Sequence, residues 1–388
     1  MRSSARVLTW CVSAVAVACT SPSPSGPPSS PDGGLAGSPD GGPTTIPACK
    51  ESPAGAPDAG TWTGAPIDLP MKVTQTSSDG TMRFSLPVAI GTSPAQDVQL
   101  DTGSSGLRIL EGAVPDSAFD CVTSTPVTYS YSSGLELTGV VAFATVSIGS
   151  IQTPGPIPVM LVQEVGCTAA VPNCSAKGKT PQDYELFGPY KAILGVGMRS
   201  KASDQGVGSA IAQLPGRPSF IVKAPGYGGT SGIVRIGPSA AQIALFKTFQ
   251  LPAEPSGAPL PNGTPSYDDR FGLPACVDDT TSGVDYCVPV ELDTGDPGTY
   301  IQWPADTNGS VSVLPAGSLL MVTIGPASAP LEQFALTVGA TPTYGVDVFE
   351  VEPATGDGFM NIGTVAFFRY DILLDPFSGL VGLSAHSP

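Results

Sequence analysis

Asp97-Val98-Gln99-Leu100-Asp101-Thr102-Gly103 and Val288-Pro289-Val290-Glu291-Leu292-Asp293-Thr294-Gly295 are the stretches whose reading decides the fold. Each is a short, strand-like run ending in the same tripeptide, Asp-Thr-Gly. One copy in a chain rich in Thr and Gly would be weak evidence. Two copies, one in each half and each after an apolar strand pattern, point to an internal repeat. Each is followed later in its half by an apolar-Gly element, Ile193-Leu194-Gly195 in the first and Asn361-Ile362-Gly363 in the second. The order strand, Asp-Thr-Gly, apolar-Gly therefore occurs twice. It implies two similar lobes about a pseudo-two-fold axis, each contributing one carboxylate.

The surrounding composition agrees with a strand-rich chain. Of 388 residues 13% are charged and 41% hydrophobic, with 47 Gly and 42 Pro to punctuate the strands. Segments 83–90, 140–148, 232–237 and 318–324 are short, apolar and rich in β-branched residues, and Gly, Pro, Asn or Asp clusters bound them. Helical patterns are confined to 209–214, 239–247 and 364–369. The expected class is all-β with minor helix.

Charge and histidine content exclude several functions. The net charge is −16 with no basic tract, so nucleic acid would be repelled. His386 is the single histidine, close to the C-terminus. A Ser-His-Asp or Cys-His triad would have to be built on that one residue.

The N-terminus reads as an export signal. Arg2 and Arg6 precede an apolar run, Val7 to Ala18, that is too short to span a bilayer. Ala16-Val17-Ala18-Cys19 resembles the lipobox of bacterial lipoproteins, which makes Cys19 the expected lipidation site. Ordinary signal cleavage and a soluble secreted protein form the alternative. Residues 20–48 are mostly Ser, Pro and Gly and have little to bury, so a flexible tether is expected. Six further cysteines fit an oxidising compartment and three disulfides, for which fifteen connectivities exist. Closeness in sequence favours Cys167–Cys174 and Cys276–Cys287, leaving Cys49–Cys121. There is no C-x-x-C pair and no partnering His, so neither a metal nor a cofactor is expected.

The motifs together resemble those of pepsin-like aspartic peptidases. Leu86 to Leu107 is similar to that family's first active-site strand and loop. Tyr190 to Gly197 resembles the end of its first ψ-shaped loop, and Ile362 to Leu383 its closing segment. Cys276 and Cys287 match a disulfide often found before the second aspartate. With the signal at 1–18 and a linker at 19–65, the resemblance implies a bilobal fold with catalytic lobes at 66–225 and 226–388. It implies an aspartic endopeptidase with Asp101 and Asp293 as the catalytic pair, acting as a monomer on extended polypeptides between bulky apolar residues. Thr102, Gly103, Ser104, Thr294 and Gly295 would support the active-site loops, the two threonines bonding across the lobe interface. A flap is expected over 127–146, its tyrosine being Tyr129 when counted forward and Tyr131 or Ser132 when counted back from Gly139.

Two departures from that family bear on activity. Arg108 stands where a flap-supporting Trp is usual, and Asp296-Pro297-Gly298 where a hydroxyl residue follows the second Asp-Thr-Gly. Asp296 has two readings: a third charge reaching the dyad, or the start of a solvent-facing turn that leaves the hydroxyl role to Thr299. The alternative function is a non-catalytic binding module, an inhibitor or adhesin on the same scaffold.

Overall fold

Alternation along Ile67–Gln75 buries Leu69, Met71 and Val73 and turns Asp68, Pro70 and Lys72 outward, as expected of a strand covered on one face. The next strand, Met82–Ile90, is buried along nearly its whole length because it lies between Ile67–Gln75 and Gln96–Asp101. These strands belong to a computed structural model that describes residues 46–50, 60–76, 81–304, 311–339, 349–354 and 356–386. The signal at 1–18, Cys19 and most of the tether lie outside the described residues.

Strands form one sheet of fifteen and one of eight, with a single four-residue α-helix, Ala240–Ile243, and four 3₁₀ turns among the described residues. The protein is all-β with minor helix. The helix expected over 239–247 does start at Ser239, whose hydroxyl accepts from Gln242 N at 3.3 Å while Gln242 Oε1 accepts from Ser239 N at 2.8 Å. It stops early because Lys247–Gln250 is taken into the sheet beside Leu380–Ala385. The helices expected at 209–214 and 364–369 are reduced to 3₁₀ turns, Ile211–Gln213 and Gly363–Val365.

The internal repeat is visible in the strand order. In the first half Gln96–Asp101 runs parallel to Ala192–Val196, which is antiparallel to Ser105–Leu110, which is parallel to Ile157–Cys167. In the second half Val284–Glu291 runs parallel to Phe359–Asn361, which is antiparallel to Thr299–Trp303, which is parallel to Phe349–Pro353. The same four roles recur in the same order with the same direction of every pairing. In each half the late apolar-Gly strand inserts between the strand before Asp-Thr-Gly and the strand after it.

The halves share one sheet and one core. Phe220–Lys223 pairs with both Ser231–Ile236 and Tyr370–Asp375, so the hairpin across positions 225 and 226 joins C-terminal strands to N-terminal ones. Phe84 meets Phe367 and Phe368 edge-on, with ring centroids 6.1 and 5.5 Å apart. A second cluster, including Val127, Leu137, Met160 and Ile193, lies under the hairpin Cys121–Ser130/Leu135–Ala144.

Three disulfides form as expected: Cys49–Cys121, Cys167–Cys174 and Cys276–Cys287. The first closes a 72-residue separation and the second one of 7. Loop entropy then assigns about 4 kcal/mol to the first and about 2.5 to the second. Three such bonds fit folding in an oxidising, extracellular or periplasmic compartment. Among the described residues no helix is long and apolar enough to cross a membrane.

Candidate active site

The repeated strand order delivers two equivalent loops to one place. Gln96–Asp101 ends on Asp101, and Val284–Glu291 is followed at once by Leu292 and Asp293. Each tripeptide then turns back toward the antiparallel strand of its own half. The two loops meet through their threonines. Thr102 N donates to Thr294 Oγ1 at 3.0 Å, and Thr294 N donates to Thr102 Oγ1 at 2.9 Å. Each hydroxyl in turn donates to a carbonyl of the opposite half, Thr102 to Leu292 O at 2.6 Å and Thr294 to Leu100 O at 2.8 Å. Four reciprocal bonds, buried from water, hold the loops at fixed separation.

This brings the carboxylates together. A Cβ added to Gly103 would collide with the Asp293 carboxylate, and one added to Gly295 would collide with Asp101 Oδ1. Each aspartate therefore lies over the other loop's glycine, where a side chain cannot be accommodated. Asp101 Oδ1 accepts from Gly103 N at 2.9 Å and Ser104 N at 3.1 Å, and its Oδ2 accepts from Ser104 Oγ at 2.6 Å. Burial, together with the neighbouring Asp293 charge, pushes Asp101 up to about 7, with Ser104 and Arg108 acting the other way.

The second half supports its carboxylate differently. Asp293 Oδ1 accepts from Gly295 N at 2.6 Å, but Oδ2 accepts from the Asn361 side-chain amide at 2.8 Å. Asn361 thus occupies the position that Ser104 fills in the first half. Among the described residues the Thr299 hydroxyl, 3% exposed, has no hydrogen-bond partner, so it does not take that role. Asp296 combines the two sequence readings. Its Oδ1 accepts from Gly298 N at 2.8 Å, as at the start of a turn, and its Oδ2 accepts a longer 3.4 Å contact from Asn361. Burial and the Asp293 charge push Asp296 up to about 6.

The hairpin closes over the pair. Tyr129, Tyr131 and Ser132 all line the cleft, so every flap candidate is brought to the site. Arg108, 1% exposed, donates to Ser105 O at 2.6 Å and lies with its guanidinium carbon 3.3 Å from the Tyr129 ring centroid. It supports Tyr129 by a cation–π contact. Tyr131 packs edge-on against Tyr129 and Phe187 at 5.0 and 5.4 Å.

The cleft between flap and loops holds about 720 Å³. Arg199, Lys201, Asp204 and Glu254 are among its lining residues, so charged groups stand where the resemblance implies apolar pockets. Two further features have no counterpart in the sequence reading. Glu291, 1% exposed, receives Arg270 Nε at 3.0 Å and has Arg199 at 3.7 Å. Arg83 reaches across from the first half to donate to Gly295 O. Isolated charges on strands or in a loop carry no spacing signal that would single them out. Among the described residues no three His, Cys, Asp or Glu converge as metal ligands. His386 is engaged elsewhere, 3.1 Å from Phe367 O.

Residues 87–216 match the model of a family described as "Protein of unknown function (DUF3443)". The match covers less than half of the chain and includes Asp101, the flap hairpin and Ala192–Val196, ending before Asp293. No curated protein matches the chain.

Proposed function

We propose that the protein is an exported aspartic endopeptidase of the pepsin-like, bilobal kind. One observation carries the reading: two Asp-Thr-Gly loops, locked by reciprocal threonine bonds, seat each carboxylate over the other loop's glycine. The repeated strand order supports the bilobal reading.

Two carboxylates in one buried site do not both ionise cheaply, so the pair holds one proton. The ionised member takes a proton from a water between them while the protonated member donates to the scissile carbonyl oxygen. The water oxygen bonds to the carbonyl carbon, giving a tetrahedral diol. The amide nitrogen then takes a proton from the dyad while the other carboxylate takes one back from a diol hydroxyl, and the C–N bond breaks to release an amine and a carboxylic acid. The dyad ends with one proton, as it began. The proton belongs to the pair. The substrate would lie extended beneath the flap, as an added strand.

Peptide-library cleavage at several pH values, with and without pepstatin, tests the reading. Pepstatin-sensitive endopeptidic cuts are the expected result, with charged positions included in the library because the cleft walls are charged. Peptide or pepstatin binding with no cleavage at any pH would favour the binding-module reading. Tethering through Cys19 is part of the proposal, resting on the lipobox-like sequence. Cys19→Ala should move the protein from the membrane to the soluble exported fraction, and unchanged membrane association would remove the anchor.

A further inference from the structure

The loop after Asp293 carries one more carboxylate than a two-aspartate mechanism uses, and the facing strand carries a buried cation that the mechanism also leaves unused. Asp296 lines the cleft with Asp101 and Asp293 and shares the Asn361 amide with Asp293. Arg83 projects from Met82–Ile90 into the same cleft, is 7% exposed, and donates to Gly295 O in the loop between Asp293 and Asp296. Among the described residues its Nε is buried without a partner. Phe187 packs on its guanidinium at 5.3 Å and holds φ at 53°, a conformation uncommon for a residue other than glycine. A guanidinium buried so deeply is strongly disfavoured unless negative charge is near. The negative charges sharing the cleft with it are Asp296, Asp293 and Asp101, whose fields oppose the effect of burial on the guanidinium.

We infer that Arg83 and Asp296 are a compensating charge pair that fixes the net charge of the dyad's cleft, Arg83 being a positioning residue that also holds the Gly295 loop. The peptidase reading is needed only for the activity half of its test. A dyad with one proton carries −1, Asp296 adds −1 and Arg83 adds +1, which restores −1. Arg stays charged at every relevant pH, although burial lowers its pKa. Also facing these groups are Arg108 toward Asp101, Glu291 toward Asp293 and Glu350 toward Asp296, with the phenols of Tyr129 and Tyr131 toward Asp101, of Tyr300 toward Asp296 and of Tyr190 toward Arg83. None is changed in the test.

Removing Arg83 leaves the carboxylates with uncompensated repulsion and makes ionisation harder; removing the Asp296 charge makes it easier. The test uses the full exported chain, with aspartate carboxyl carbons labelled and titrated by NMR, and pH–activity curves alongside. Arg83→Met should raise the midpoints of the cleft carboxyls by about one pH unit, and Asp296→Asn should lower them by a similar amount. The double variant should return near the parent. Arg83→Lys keeps the charge but not the planar fork, so its midpoints should stay near the parent's even where kcat falls. If Arg83→Met does not fold, Arg83→Gln takes its place. Midpoints that ignore Asp296→Asn, or that move the same way in both single variants, would overturn the pair. The titration decides for or against the pair even if the parent cleaves no peptide, an outcome that would sink the peptidase reading and leave the charge pair standing.

Discussion

Under the proposed shared-proton mechanism, Asp101→Asn is expected to lower peptide-bond hydrolysis by about 10²–10⁴-fold or more, and Asp293→Asn to do the same, because each would remove a partner in proton transfer. Both variants should stay folded, since an amide preserves the shape of the carboxyl over the opposing glycine. A pH signature accompanies the loss. Asp101 is held up at about 7 by burial and by Asp293, against about 3.9 in an unfolded chain. Between roughly pH 4 and 7 the folded protein keeps a proton that the unfolded chain has released. That carboxyl therefore costs stability progressively as pH rises through the window, with no cost below it. Asp101→Asn should accordingly match the parent's stability near pH 3 and exceed it above pH 7, read from urea unfolding at a series of pH values. In the parent, activity should fall above pH about 7 as the shared proton is lost. Near-parental turnover in either variant would dismiss the shared-proton mechanism.

The parts of this site that are legible in the sequence are those that local pattern dictates. Asp-Thr-Gly after an apolar run marks a loop at a strand end, and its recurrence marks a repeat, so Asp101, Asp293 and both threonines can be read directly. Cysteine pairs close in sequence can be read too, and Cys276 and Cys287 are direct partners across adjacent strands. What is not legible depends on where a side chain ends in space. Asn361 reads as part of an apolar-Gly strand, yet its amide reaches Asp293 because Phe359–Asn361 inserts between Val284–Glu291 and Thr299–Trp303. The flap tyrosine resists counting because the hairpin pairs regularly only from Pro126 with Val140 to Ser130 with Glu136, and the tip beyond Ser130 has a length that local pattern does not fix. Tyr129 and Tyr131 lie two apart in the chain with their rings packed together, and both reach the cleft.

Thr102→Val is expected to destabilise the fold by about 2–4 kcal/mol, because the isosteric side chain leaves Leu292 O and Thr294 N without partners in a buried interface. Thr102→Ser is the control. It keeps the hydroxyl and loses a methyl group, at about 1 kcal/mol. The valine variant alone loses the hydroxyl bonds across the halves, so comparing the two by unfolding in urea separates those bonds from packing. Activity should separate further than stability. The same bonds set the distance between the carboxylates, and a displacement of about 1 Å in catalytic groups costs about 10²-fold in rate. Thr294→Val should behave alike, because its hydroxyl holds Leu100 O and Thr102 N in the mirrored arrangement. Thr294 is even more deeply buried, at 0% exposure against 5% for Thr102, so its serine control should lose at least as much. A Thr102→Val variant as stable as Thr102→Ser would mean that the loops are held by their own halves. The threonine bonds would then be a consequence of the carboxylates' proximity and not its cause.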